Sequence, residues 1–200
     1  MLAVLFIFSA SLSLRAQTTG FNQTGAGPYD YNDTNNWVGG VINGVWDSSL
    51  TLTNTQITTF AADTTLTTGL TFNYAGGFSE TLRGTNANRA LTLGGDILVN
   101  TASASRVITL GSTTANQGLS VDLGGTGRTF DVRGTIGAAS SIRSLTFANN
   151  VSNGSLTLQG GGVVNMNSTN TLSSMTLKGV SWAHGNLAGD TTISGALTID

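Results

Sequence analysis

Cysteine is absent from this 200-residue chain, and proline, lysine, glutamate and histidine each occur once. No disulfide framework and no thiolate site for zinc or an iron–sulfur cluster can form. The near-absence of proline leaves almost every backbone donor free to join a ladder. Charged residues make up 9% of the chain, about a third of the usual share. A net charge of −2 offers no basic footprint for nucleic acid. The strong helix formers glutamate, lysine, glutamine and methionine are scarce, which argues against a helical fold. No run reaches the roughly 18 apolar residues of a membrane-spanning helix.

What is abundant points the other way. Threonine is the commonest residue, with 32 copies, beside 27 glycines, 20 serines and 18 asparagines. Hydrophobic residues reach 39% and recur regularly, so disorder is not expected. The one long apolar run, Leu2 to Leu14, would span about 20 Å as a helix, short of the roughly 30 Å a bilayer core needs. Its length fits the apolar region of a secretory signal, with residues 1–16 removed by cleavage between Ala16 and Gln17. An exported chain without cysteine suggests a bacterial source, because secreted animal domains usually rely on disulfides.

Residues 17–49 gather Pro28, Tyr29, Tyr31, Trp37 and Trp46 among glycine, asparagine and aspartate. Turn pairs stand at Gly39-Gly40 and Asn43-Gly44. This stretch reads as an entry segment or cap with a few short strands. From Leu50 onward an apolar–polar–apolar theme repeats, as in Leu70-Thr71-Phe72, Leu91-Thr92-Leu93, Ile108-Thr109-Leu110, Leu156-Thr157-Leu158 and Leu197-Thr198-Ile199. Such alternation puts the apolar pair on one face of a strand and the threonine on the other.

The copies recur at a period near 20, as from Leu52 to Phe72 to Leu93, or from Leu158 to Leu177 to Ile199. Shorter steps, such as Leu110 to Leu123 to Val132, fall inside that period. Two or three strands per winding would give this pattern. Residues 50–200 are therefore expected to form a parallel β-helix, or β-solenoid, of about seven coils. An antiparallel β-sandwich is the alternative. Stacking suits the composition. Like charges one strand apart, about 4.8 Å, would repel, whereas threonine and asparagine can bond to their own kind.

These residues resemble a family of bacterial exported proteins carrying the autotransporter-associated β-strand repeat. Gly154-Ser155-Leu156-Thr157-Leu158-Gln159-Gly160 is similar to its leading strand. Ala188-Gly189-Asp190-Thr191-Thr192-Ile193-Ser194-Gly195-Ala196-Leu197-Thr198-Ile199 is similar to the Gly-Gly-Thr-Thr element and the strand after it. Asn35-Asn36-Trp37-Val38-Gly39-Gly40 resembles the family's opening, and Phe60 to Asp63 with Leu70 to Asn73 its next strands. Asp190 stands where the second glycine is usual. The resemblance implies a right-handed parallel β-helix, exported, serving as a passenger or surface stalk. The 200 residues are expected to belong to a longer protein.

Candidate chemistry is sparse. Asp122 and Asp131 occupy the polar slot of adjacent strand copies, and stacking them would pair two carboxylates, with Arg128 and Arg133 at hand for an ion pair. His184 reads as a loop residue at a corner. Gly124-Gly125-Thr126-Gly127 begins like a calcium-binding repeat, but its aspartate, Asp131, comes two places late. Trp37, Trp46 and Tyr29 are the candidates for stacking on sugar rings. The expectation is a non-catalytic structural or adhesin-like segment, extracellular or on the outer cell surface, with no cofactor or metal. Its expected partners are extracellular polysaccharide or cell surfaces. The alternative is a carbohydrate-binding or lyase-like module.

Overall fold

Short strands that alternate inward apolar and outward polar residues cannot bury their apolar side alone, so each must be covered by the next winding. The computed structural model describes residues 20–23, 25–47, 55–73, 79–100, 106–133, 143–184 and 189–200. The expected cleavage site at Ala16 and Gln17, and Leu52, lie outside them.

An entry turn carries β1 (Tyr29–Asp30) and β2 (Val45–Asp47), joined through two short 3-10 turns. Six coils of three strands follow. The first holds β3 (Gln56–Phe60), β4 (Thr64–Thr65) and β5 (Leu70–Asn73), and the second β6 (Glu80–Gly84), β7 (Arg89–Thr92) and β8 (Ile97–Val99). The third holds β9 (Arg106–Leu110), β10 (Leu119–Asp122) and β11 (Gly127–Val132), and the fourth β12 (Arg143–Phe147), β13 (Val151–Ser152) and β14 (Ser155–Gln159). The fifth holds β15 (Val163–Met166), β16 (Asn170–Leu172) and β17 (Ser174–Lys178). The sixth holds β18 (Ser181–His184), β19 (Thr191–Ile193) and β20 (Leu197–Ile199).

Each strand pairs with its counterpart one coil away. The result is three sheets: β1-β3-β6-β9-β12-β15-β18 on a first face, β4-β7-β10-β13-β16-β19 on a second, and β2-β5-β8-β11-β14-β17-β20 on a third. Every pairing between these strands is parallel. The fold is thus a parallel β-helix, and a sandwich of opposed antiparallel layers is excluded. The entry segment is continuous with the stack, since Tyr29 lies beside Thr58 and Trp46 beside Phe72.

Inward residues form columns. Leu70, Ile97, Phe130, Leu158, Leu177 and Ile199 succeed one another on the third face. The expected steps from Leu158 to Leu177 to Ile199 are therefore true coil periods. The earlier step from Phe72 to Leu93 is not. Phe72 lies beside Val99 rather than Leu93, which follows β7 on the second face. On the first face Gln56, Glu80, Ile108, Leu145, Val164 and Trp182 form one column, at steps of 24, 28, 37, 19 and 18 residues. The strands keep register while the connections absorb the difference. The short steps from Leu110 to Leu123 to Val132 pass from face to face within one coil.

Outward residues form the polar ladders that the composition suggests. Thr129, Thr157, Thr176 and Thr198 stand in one column. Asn165 donates to Thr146 Oγ1 at 3.2 Å, and Asn100 donates to Asn73 at 3.1 Å. Backbone at the corners is equally close. A Cβ at Gly69 would strike the backbone of Asp96 on the next coil.

A carboxylate in such a column meets its own kind one coil away. Thr157→Asp and Thr176→Asp should each lower stability by no more than about 0.5 kcal/mol. Their combination should cost on the order of 1 kcal/mol beyond additivity, and Thr157→Asp with Thr176→Lys should recover it. Thermal melts of the four proteins at low salt check this.

Candidate functional site

Among the described residues, the entry turn and first coil hold most of the aromatic side chains. Phe21, Tyr31, Trp37 and Trp46 pack edge-on and tilted, with ring centroids 5.1–6.1 Å apart. Tyr31 stacks on Phe60 at 4.8 Å and Trp46 on Phe72 at 4.9 Å, so the cluster runs straight into the core columns. Trp37 Nε1 donates to the Tyr31 carbonyl at 2.8 Å. Burial pushes the Tyr31 hydroxyl far up from its ordinary pKa.

This corrects the reading of Trp37 and Trp46 as sugar platforms. They are 2% and 1% exposed, and a ring needs a free face to stack on a sugar. Tyr29 alone stays half-buried, edge-on to Phe21 at 5.9 Å. The sequence could not separate the two roles, because aromatics gathered beside turns serve either.

The two candidate carboxylates are apart. Asp122 lies on the second face, beside Thr92 and Ser152, and accepts from Gly124 N at 2.7 Å and Asn153 Nδ2 at 2.8 Å. Asp131 lies on the third face, beside Leu98 and Gln159, and pairs with Arg133 at 3.2 Å. Successive strands of one coil belong to different faces, so the adjacent slots diverge. Arg128 joins neither acid. It donates to the carbonyls of Leu93 at 2.6 Å, Gly94 at 3.0 Å and Leu123 at 3.1 Å, closing a corner between coils. Gly124 and Gly125 turn that corner at φ of +71° and +70°. Among the described residues no three of histidine, aspartate and glutamate converge as metal ligands would. His184 is not in a loop but ends β18, exposed, beside Met166.

Among the described residues a site-like feature lies on the second face, where coils two, three and four meet. Asn88, Arg89, Gly118, Ser120, Asn149 and Asn150 line a hollow of about 90 Å³. Two amides there are oriented by backbone. Asn88 Oδ1 accepts from Gly118 N at 2.9 Å, and Asn149 Oδ1 from Leu119 N at 2.9 Å and Ser112 N at 3.0 Å. With their oxygens so engaged, both amides keep their N–H groups for other acceptors. Arg89 also lines the hollow: its carbonyl accepts from Ser120 Oγ at 3.2 Å, and its buried Nε has no hydrogen-bond partner. The asparagine N–H groups are donors of the kind that receive an oxyanion.

Sequence reasoning did not single out Arg89. A signal was present: asparagine stands at or just before the start of three second-face strands, at Asn88, Asn149-Asn150 and Asn170. No protein-family model, no curated protein and no solved structure matches the chain.

Replacing Trp46 by alanine should cost about 3–5 kcal/mol, seen as a lower denaturant midpoint, while Trp46→Phe should keep most of the stability. Neutral oligosaccharides should leave the emission of Trp37 and Trp46 unchanged.

Proposed function

We propose that the chain is a non-catalytic, structural or adhesin-like β-helix segment of an exported bacterial protein, secreted or held on the cell surface. The unbroken register of three parallel faces through six coils is the observation that carries this reading. Each coil braces the next by backbone pairing along its strands, so the stack resists bending and can hold other parts at a distance. Side chains reinforce it across coils: Asp63 accepts from Ala90 N at 3.0 Å, and Asp96 from Thr129 N at 2.8 Å. The outward faces are rich in threonine and asparagine and carry few charges, which suits contact with polar surfaces. The likeness to the autotransporter-associated repeat and the apolar run at residues 2–14 favour export.

The test has two arms. Residues 1–19 fused to alkaline phosphatase should deliver activity outside the bacterial cytoplasm, whereas a cytoplasmic fusion would remove the export claim. The purified protein should release no unsaturated or reducing ends from pectin-like polysaccharides, with or without Ca²⁺. Turnover would replace the structural reading by a catalytic one.

A second reading, recognition of an acidic polysaccharide, is favoured by the donor-lined hollow around Arg89. Oligomers of uronic acid should bind and neutral oligomers should not. Arg89→Gln should weaken binding tenfold or more, since a hydrogen bond to a charged group contributes about 1.5–3 kcal/mol. Calorimetry at low salt checks this, and equal binding by both proteins removes the reading.

A further inference from the structure

The core of the first face is polar at its N-terminal end. Glu80, the only glutamate of the chain, and its register partner Gln56 are both fully buried. Both point inward, on adjacent strands about 4.8 Å apart. Glu80 Oε1 accepts from Thr58 Oγ1 at 2.8 Å, while Oε2 has no partner. The Gln56 amide is oriented by two bonds from Nε2, to the carbonyls of Gln23 at 2.7 Å and Gly25 at 3.2 Å. Its Oε1 is therefore also left without a partner. Two buried acceptors stand unsatisfied on neighbouring rungs, each deprived of the hydrogen bond that water would have given it.

One proton resolves both. We propose that Glu80 is a neutral acid whose Oε2–H donates to Gln56 Oε1, forming a pH-sensitive latch that holds the entry segment to the first two coils. When the proton leaves to solvent, two acceptors face each other. The Gln56 amide then relieves the clash by rotating so that Nε2 donates to the carboxylate. That rotation gives up the bonds to Gln23 and Gly25, and the entry segment loosens.

Among the described residues no charge stands beside Glu80 to hold it ionised. β3 faces it with Gln56 and Thr58, β9 with Ile108, and β10 brings the apolar Leu119 and Val121. Arg83 of its own strand lies on the outward side, beside Thr59, and Tyr29 is one rung beyond Thr58. Burial accordingly raises the Glu80 pKa from 4.5 to about 8, against the smaller lowering effect of the Thr58 hydrogen bond. The folded state thus binds the proton more tightly than the unfolded one. The stabilisation is complete below pH 4.5, declines as pH rises, and is gone above about 8.

Because the chain has one glutamate, ¹³C-glutamate labelling gives a single side-chain carboxyl resonance in the intact protein. Its midpoint should lie near 8. A midpoint in the ordinary carboxylate range would overturn the proposal without any variant. Hydrogen exchange of residues 25–31 should accelerate about tenfold between pH 6 and pH 9, beyond the intrinsic base-catalysed rise. Glu80→Gln keeps an N–H donor toward Gln56 and an acceptor toward Thr58 but cannot ionise, so it should abolish that excess. The same excess in Glu80→Gln would show that the latch is not the cause.

Discussion

Rung-to-rung backbone pairing between successive coils governs this molecule. A parallel strand shows its neighbour the same sequence of donors, acceptors and side-chain directions, so a position once turned inward stays inward on every coil. The column from Leu70 through Phe130 to Ile199 is the direct result. Phe130, stacked on Phe147 across the core at 5.2 Å, shows how columns from two faces interdigitate. The constraint also selects the surface. An outward residue meets its counterpart a strand's width away, which favours threonine over any charge.

The corners carry the remaining demands. Backbone turning between faces leaves carbonyls and amides that the ladders do not reach, and a buried one is costly. The few charged and amide side chains answer that need: Arg128 on three carbonyls, Asp63 and Asp96 on amides of the following coil, Asn149 on two amides. Most polar groups that looked like candidate chemistry are structural ties. Around Arg89, with a hollow beside it, and at Glu80, buried without charge compensation, the polar groups exceed what the coils require.

Much of the architecture was legible because β-helix physics is repetitive. The alternation in Leu156-Thr157-Leu158 fixes which side chains are buried, and β14 follows it. The period from Leu158 to Ile199 was readable because the last coils have short connections. Earlier coils hid their period in longer connections, and Phe72 was matched to the wrong partner. Assignment to a face was not legible either. Asp122 and Asp131 share a slot within their strands, yet a corner between them sends them to different sheets. Trp37 and Trp46 were visible as an aromatic cluster, but their burial depends on Phe21, Tyr31, Phe60 and Phe72 closing round them.

The sequence by itself determined that the chain is built of short alternating strands, that its polar side is poor in charge, and that stacking is the way to bury the rest. Those properties are local, set by side-chain order and composition within a few residues. Tertiary structure alone decided which residues share a rung, because register depends on how much chain each corner consumes. It therefore also decided that Gln56 sits beside Glu80, and that Arg89 meets asparagines from different coils. Such neighbours are far apart along the chain and come together only when one winding is laid on another.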